Sequence, residues 1–143
     1  MGVARIVLDT SVIVAGLRSR LGASNHLLTL VAEQRITPLV TTAMFLEYED
    51  VLLRPEHRLA TGMTVENIEG FLGAFASAAE PVEIHFLWRP QLTDSADELV
   101  LEAAVNGRAD AIVTHNIKHF GSTTKDFGVP VVTPREMIKR VKS

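Results

Sequence analysis

Alternation is the feature that most constrains the fold of this chain. Short runs dominated by Val, Ile and Leu are separated by stretches whose apolar residues recur three and four positions apart. Val3 to Leu8 is the first such run, and it stops abruptly at Asp9-Thr10-Ser11, so it reads as a buried strand. Thr37 to Thr41, with Leu39 and Val40 at its centre, reads as a second strand, Val82 to Phe86 as a third, Ala111 to Thr114 as a fourth and Val129 to Thr133 as a fifth. Ser24 reads as the cap of a helix through Leu27, Leu28, Leu30 and Val31. Thr42 opens another through Phe45, Leu46, Tyr48, Glu49, Leu52 and Leu53, which Pro55 stops or kinks. Thr64 to about Ala79 is helical by the spacing of Ile68, Leu72 and Phe75, and Ser95 to Val105 is a helix ended by Gly107. Thr133-Pro134-Arg135-Glu136 is a capping box with proline at the first helical position, starting a terminal helix through Lys142. Strands alternating with helices in this way specify an α/β domain, with a parallel sheet covered on both faces.

Length and composition set the frame for function. The 143 residues, 47% of them hydrophobic, suffice for one domain with a core of its own, and no repeat or interdomain linker divides them. The absence of cysteine excludes a disulfide scaffold, a thiolate nucleophile and Cys-based metal sites. The N-terminus has no signal-peptide pattern and no apolar run spans a membrane, so the expectation is a cytoplasmic protein. A net charge of −3 provides no global basic field for nucleic acid, so any phosphate contact has to come from a local basic rim.

In an open parallel sheet, ligands bind beyond the carboxyl ends of the strands. Acids from separate segments fall there: Asp9 directly after the first strand, Glu47 a turn into the helix after the second, and Asp94, Asp97 and Glu98 at the start of the helix after the third. Asn116 follows the fourth. Clustered carboxylates repel unless a cation neutralises them, and an all-oxygen set suits Mg²⁺ or Mn²⁺. Such an ion activates water and neutralises a phosphodiester as its leaving oxygen departs.

The arrangement resembles the PIN-domain nucleases over nearly the whole chain. Ile-Val-Leu-Asp9-Thr10-Ser11-Val12-Ile13 is similar to that family's first strand and turn, and Phe45-Leu46-Glu47-Tyr48 to its second acidic position. Thr93-Asp94-Ser95-Ala96-Asp97-Glu98 resembles the helix start that supplies its third acid, with Asp97 the best match, and Ala111-Ile112-Val113-Thr114-His115-Asn116 resembles its fourth strand and Thr-x-Asp ending. The resemblance implies a single three-layer α/β/α domain over residues 1–143 with a central parallel sheet of four to five strands. It also implies a ribonuclease with Asp9, Glu47, Asp97 and Asn116 as its catalytic set, and Asp9, Glu47, Asp97 and Asp94 as ligands of Mg²⁺ or Mn²⁺. VapC-like toxins of toxin–antitoxin pairs are among the members closest to the pattern, which brings with it an RNA substrate, an antitoxin protein as partner and a homodimer. Where the family commonly has an acid, this chain has Asn116, which removes one negative charge from the site.

Each of these residues also has a plainer use. Asp9 is a competent helix N-cap, Asp94 and Asp97 complement a helix dipole, and Glu47 can be a solvated helical acid beside Glu49 and Asp50. Ser11, Arg18, His115 and Lys118 are candidate substrate contacts, as are Arg20 and Lys125, but ordinary capping and surface charge account for the same residues. Phe86, Trp88 and Phe120 are aromatic enough to stack on bases, although core packing is the commoner use. Two rival functions stand beside the nuclease. One is a catalytically weakened PIN-like module that binds RNA or protein, motivated by Asn116. The other is a haloacid-dehalogenase-like phosphotransfer enzyme, which wants a second Asp two positions after the first, where this chain has Ser11.

Overall fold

The computed structural model describes residues 3–85, 95–121 and 127–142. Five parallel strands, β1 (Ala4–Leu8), β2 (Ile36–Val40), β3 (Glu80–Pro81), β4 (Ala111–Val113) and β5 (Val131–Val132), form one sheet in the order β3-β2-β1-β4-β5. Seven helices accompany them among the described residues: α1 (Thr10–Arg18), α2 (Ala23–Ala32), α3 (Thr42–Leu52), α4 (Pro55–Thr61), α5 (Val65–Ala78), α6 (Ser95–Gly107) and α7 (Pro134–Lys142). The expected three-layer α/β/α architecture is therefore present. Its physical signature is in β1, where Ile6, Val7 and Leu8 are each 0% exposed. Successive strand residues point to opposite faces, so unbroken burial requires helices on both. α6 packs along β1, β2 and β4, while α1, α2 and α5 pack against β1 or β2. Among the described residues, no helix is long and apolar enough to cross a membrane.

The strand order fixes where a site can lie. From β1 the chain moves outward to β2 and β3, then returns through α6 to place β4 on the other side of β1. Neighbouring strands β1 and β4 thus have connections leaving in opposite directions, and the crevice of a doubly wound sheet opens beyond their carboxyl ends. Those ends carry Asp9 and Thr114.

Several local expectations need correction. The second strand runs one residue earlier than expected, and the fifth is shorter than Val129 to Thr133. The third is not Val82 to Phe86: pairing occupies Glu80–Pro81, and the chain leaves the sheet after Val82, whose N–H still bonds the Val40 carbonyl at 2.9 Å. Pro81 is tolerated because β3 is an edge strand, where the missing N–H costs no ladder bond. Phe86 lies outside the described residues. Thr10–Arg18 is a helix despite its β-branched Val12-Ile13-Val14 run, because burial of those three residues against the core outweighs a small propensity deficit. Pro55, expected to stop or kink the preceding helix, also occupies the first turn of α4. Ser24 does not cap α2, whose N-cap is Gly22; its hydroxyl bonds His115 instead. The expected capping box at Thr133 forms, Thr64 makes a second reciprocal box, and Thr41 rather than Thr42 caps α3.

Helix ends expose a further point. α6 closes with Gly107 as its last residue, but the left-handed position that follows is Arg108, at φ 53°. Ala109 N–H bonds the Ala104 carbonyl at 2.9 Å, completing a Schellman closure. Gln34, at φ 60°, closes α2 in the same way through Arg35 N–H and the Leu30 carbonyl. Gly107 is needed for a different reason: a Cβ there would sit 2.9 Å from Leu39 Cδ1 and 3.0 Å from Val82 Cγ2. Since both left-handed caps carry ordinary side chains, Gln34→Gly and Arg108→Gly are each expected to stabilise the fold by about 0.5 kcal/mol. Urea denaturation showing both variants weaker than the parent would refute the strain.

Across the sheet, Arg5 on β1 reaches Glu80 on β3 with an Nη2 to Oε2 distance of 2.5 Å. The hydrogen bond to Arg5 holds the Glu80 carboxyl below its ordinary value of 4.5. A depressed acid stabilises above its unfolded pKa and loses that contribution as pH falls through the folded one. Both side chains are over a third exposed or close to it, so Glu80→Gln should cost no more than about 1 kcal/mol. The deficit should be complete above pH 4.5 and disappear on acidification, which stability measured across pH will test.

Candidate functional site

Asp9 occupies the N-cap position of α1 with extended backbone, φ −61° and ψ 148°, yet its side chain caps nothing. Its backbone N–H bonds the Val113 carbonyl at 2.9 Å, carrying the β1–β4 ladder one step past the end of β1. The carboxylate is 5% exposed, and its Oδ2 accepts two hydroxyls, Ser11 Oγ at 2.8 Å and Thr114 Oγ1 at 2.6 Å. Oδ1 receives no hydrogen bond among the described residues. Thr114 is fully buried and spends its only proton on Asp9, so its oxygen is left to accept Asn116 N–H at 2.9 Å.

Tyr48 holds the same strand end from the other side. Buried in α3 and edge-on to Phe75 at 5.7 Å between ring centres, it donates its phenol hydrogen to the Leu8 carbonyl at 2.5 Å. Burial raises the pKa of its hydroxyl well above the ordinary value, and the negative charge of Asp9 raises it further. The phenol is therefore a donor across the physiological range. Sequence reasoning placed Tyr48 only among the apolar residues of its helix.

The remaining acids distribute unevenly. Asp97, in the first turn of α6, is 6% exposed, and its Oδ2 lies 3.3 Å from His119 Nδ1. The segment from Thr114 to His119 thus touches both buried aspartates, one at each end. Glu47 is half-buried on α3 next to Tyr48, and no described hydrogen bond ties it to Asp9; its charge is felt by Arg54. Asn116 is exposed at the start of a short 3-10 turn, Ile117–His119, with Lys118 exposed in that turn. His115 Nε2 is 2.8 Å from Ser24 Oγ, which ties the loop after β4 to α2. Arg18 is exposed at the last turn of α1. Phe120 is core, at 0% exposure. Asp94, Trp88 and Lys125 lie outside the described residues.

Sequence reading also missed how deeply α6 buries its acids. Glu98 and Glu102 are each 5% exposed, one helical step apart on a helix otherwise lined by Val100, Leu101, Ala103 and Ala104. The only signal was their place inside an apolar run, since Asp and Glu are otherwise mostly exposed. No group of three His, Asp or Glu side chains able to hold a metal stands together among the described residues. The donor chemistry still fits a hard cation. Asp9 is a buried carboxylate whose described partners are two neutral hydroxyls, and one oxygen is left over.

Because the Tyr48 hydroxyl satisfies a buried backbone carbonyl, Tyr48→Phe should destabilise the protein by about 1–3 kcal/mol. Chemical denaturation reads this directly, and an unchanged midpoint would show that Leu8 finds another donor.

Comparison with known families matches residues 5–118 to the PIN domain. No curated protein matches the chain closely enough to count as a relative. The matched span begins in β1 and ends in the turn after β4, so it contains Asp9, Glu47, Asp97 and Asn116, while β5 and α7 lie beyond it. With most of its length matched, this chain belongs to the PIN-domain family, whose members are in general metal-dependent nucleases.

Proposed function

We propose that the protein is a metal-dependent endoribonuclease, working in the cytoplasm as the toxin of a toxin–antitoxin pair, with an antitoxin protein as partner and a homodimer as its assembly. The observation that carries the nuclease reading is Asp9: a buried carboxylate at the switch point of the sheet, held on one oxygen by neutral donors. Asp9 and Asp97 would hold Mg²⁺ or Mn²⁺, with Glu47 and Asp94 as further ligands. When bound, the ion supplies Lewis acidity toward water and charge neutralisation toward a phosphodiester.

The chain's own residues do the rest. Ser11 and Thr114 fix the rotamer of Asp9, so its free oxygen is presented in one place rather than sampled. Tyr48 prevents the Leu8 carbonyl, and with it the start of α1, from shifting. The amide of Asn116 orients water or substrate, and its neutrality leaves the site one charge short of a four-acid set. His119 holds Asp97 in place through its Nδ1 contact. Arg18, His115 and Lys118 contact substrate phosphates, with the Ser11 hydroxyl shared between Asp9 and the substrate.

A second reading is favoured by Asn116 together with the lack of a three-ligand cluster among the described residues: a weakened module that binds RNA or protein without cutting. The phosphotransfer alternative loses ground because Ser11, at the position where an acid would be wanted, is engaged as a donor to Asp9. Asp9→Asn removes charge at nearly constant volume. It should leave circular dichroism unchanged and lower Mn²⁺-dependent RNA cleavage by about two orders of magnitude or more. Cleavage at the parental rate would sink the site, and absence of both Mn²⁺ binding and cleavage in the parent would select the binding module.

A further inference from the structure

A second surface carries chemistry that the acidic site does not use. The turn after α1 and the first half of α2 face α7 across an open groove of about 660 Å³. Arg20 and His26 line one wall, Arg135 and Lys139 the other, and no carboxylate lines it. None of these four side chains makes a hydrogen bond or salt bridge among the described residues. Glu136 on α7 feels the charge of Lys139, but no acid faces the other three across the groove, and in a chain of net charge −3 such a concentration of positive charge needs a reason. Core packing does not supply one: Met137 is buried, Ile138 and Val141 pack against the core, and Arg135 and Lys139 lie exposed on the same helix. α7 lies beyond residues 5–118, the stretch matched to the PIN domain.

The groove is placed to serve the acidic site. α1 connects the two: Asp9 sits at its N-cap, and Arg20 follows two residues after its last turn. Nine helical residues span about 14 Å. A separate depression of about 680 Å³ runs along α1 from Ser11, the donor to Asp9, to Arg18 and Ser19, with His57 on its wall. Its last lining residue along the chain before that groove, Ser19, directly precedes Arg20, the first that lines the basic groove.

We propose that the groove between Arg20, His26, Arg135 and Lys139 is an exosite for the phosphate backbone of single-stranded RNA, gripping nucleotides that flank the one lying at Asp9. The inference rests on the ribonuclease reading for the identity of its ligand. Charge complementarity selects a polyanion, and an open groove with exposed cationic heads suits a backbone rather than a base sequence. The grip therefore adds affinity and sets a minimum substrate length without choosing a sequence.

The test is equilibrium binding of a fluorescent single-stranded 20-mer RNA (a length of about 20 nucleotides exceeds the site size of one basic groove) to the full chain in EDTA, which stops cleavage. Arg135→Ala/Lys139→Ala should weaken binding about tenfold and reduce the slope of log K against log salt by about 1.4, two phosphates at ~0.7 each. Arg135→Lys/Lys139→Arg should restore both, and matching thermal melts will show that α7 remains packed. If the parent binds and cuts RNA but the alanine pair has parental affinity and slope, the exosite is refuted and the nuclease stands. A parent that neither binds nor cuts RNA refutes the nuclease reading itself. If the alanine pair loses poly-glutamate binding while holding RNA as the parent does, the occupant is an acidic protein segment, and the exosite for RNA is overturned.

Discussion

Everything at the candidate site depends on the pairing of β1 with β4. Leu8 opposes Val113 in parallel register, and the ladder continues one bond further through Asp9 N–H to the Val113 carbonyl. That extra bond brings the residue after one strand against the residue after its neighbour, which is how Thr114 comes to reach Asp9 across 105 positions of sequence. A slip of one residue would turn the side chains of β1 to the opposite faces of the sheet. The unbroken burial of Ile6, Val7 and Leu8 does not oppose such a slip by itself, since both faces are apolar. Specific polar closures at the strand end, from Thr114 and Tyr48, discriminate between registers where hydrophobicity cannot.

The electrostatic plan follows from the same topology. The sheet places Asp9 at the end of β1, and α6 adds Asp97, Glu98 and Glu102 at very low exposure. Burying carboxylates is costly, so much of the molecule's negative charge is held away from solvent. Cations lie at the periphery: Arg54 against Asp50 of α3, Arg5 against Glu80 across the sheet edge, and a cluster lining the groove between α2 and α7. A low pI and a surface able to hold polyanions are compatible when the two signs are segregated in this way.

The sequence was most legible where a single residue type has few uses. Asp9 ending an apolar run, the Thr133-Pro134-Arg135-Glu136 box and the apolar faces of α3 and α5 all read correctly, because each is a local pattern with a local cause. The third strand was misplaced because Val82 and Ile84 mimic a strand after a proline, while the sheet accepts Pro81 at its edge and releases Ile84 to 39% exposure. α1 was hidden because three consecutive β-branched residues favour a strand, and only its packing against α2, α3 and α4 reveals it. Left-handed Arg108 and Gln34 carry no glycine signature. Tyr48 illustrates the deeper limit: its partner is a backbone carbonyl 40 positions away, and no spacing rule encodes that meeting.

The unequal treatment of the two oxygens of Asp9 has a consequence for how the residue can be used. With Oδ2 already accepting two hydroxyl protons and Oδ1 accepting none among the described residues, the carboxylate is divided into an anchored oxygen and a spare one. Its two atoms are thus unequal before any ligand arrives, and the spare one is what Asp9 would offer to a cation. A hard ion held through a single carboxylate oxygen would keep more of its shell for water.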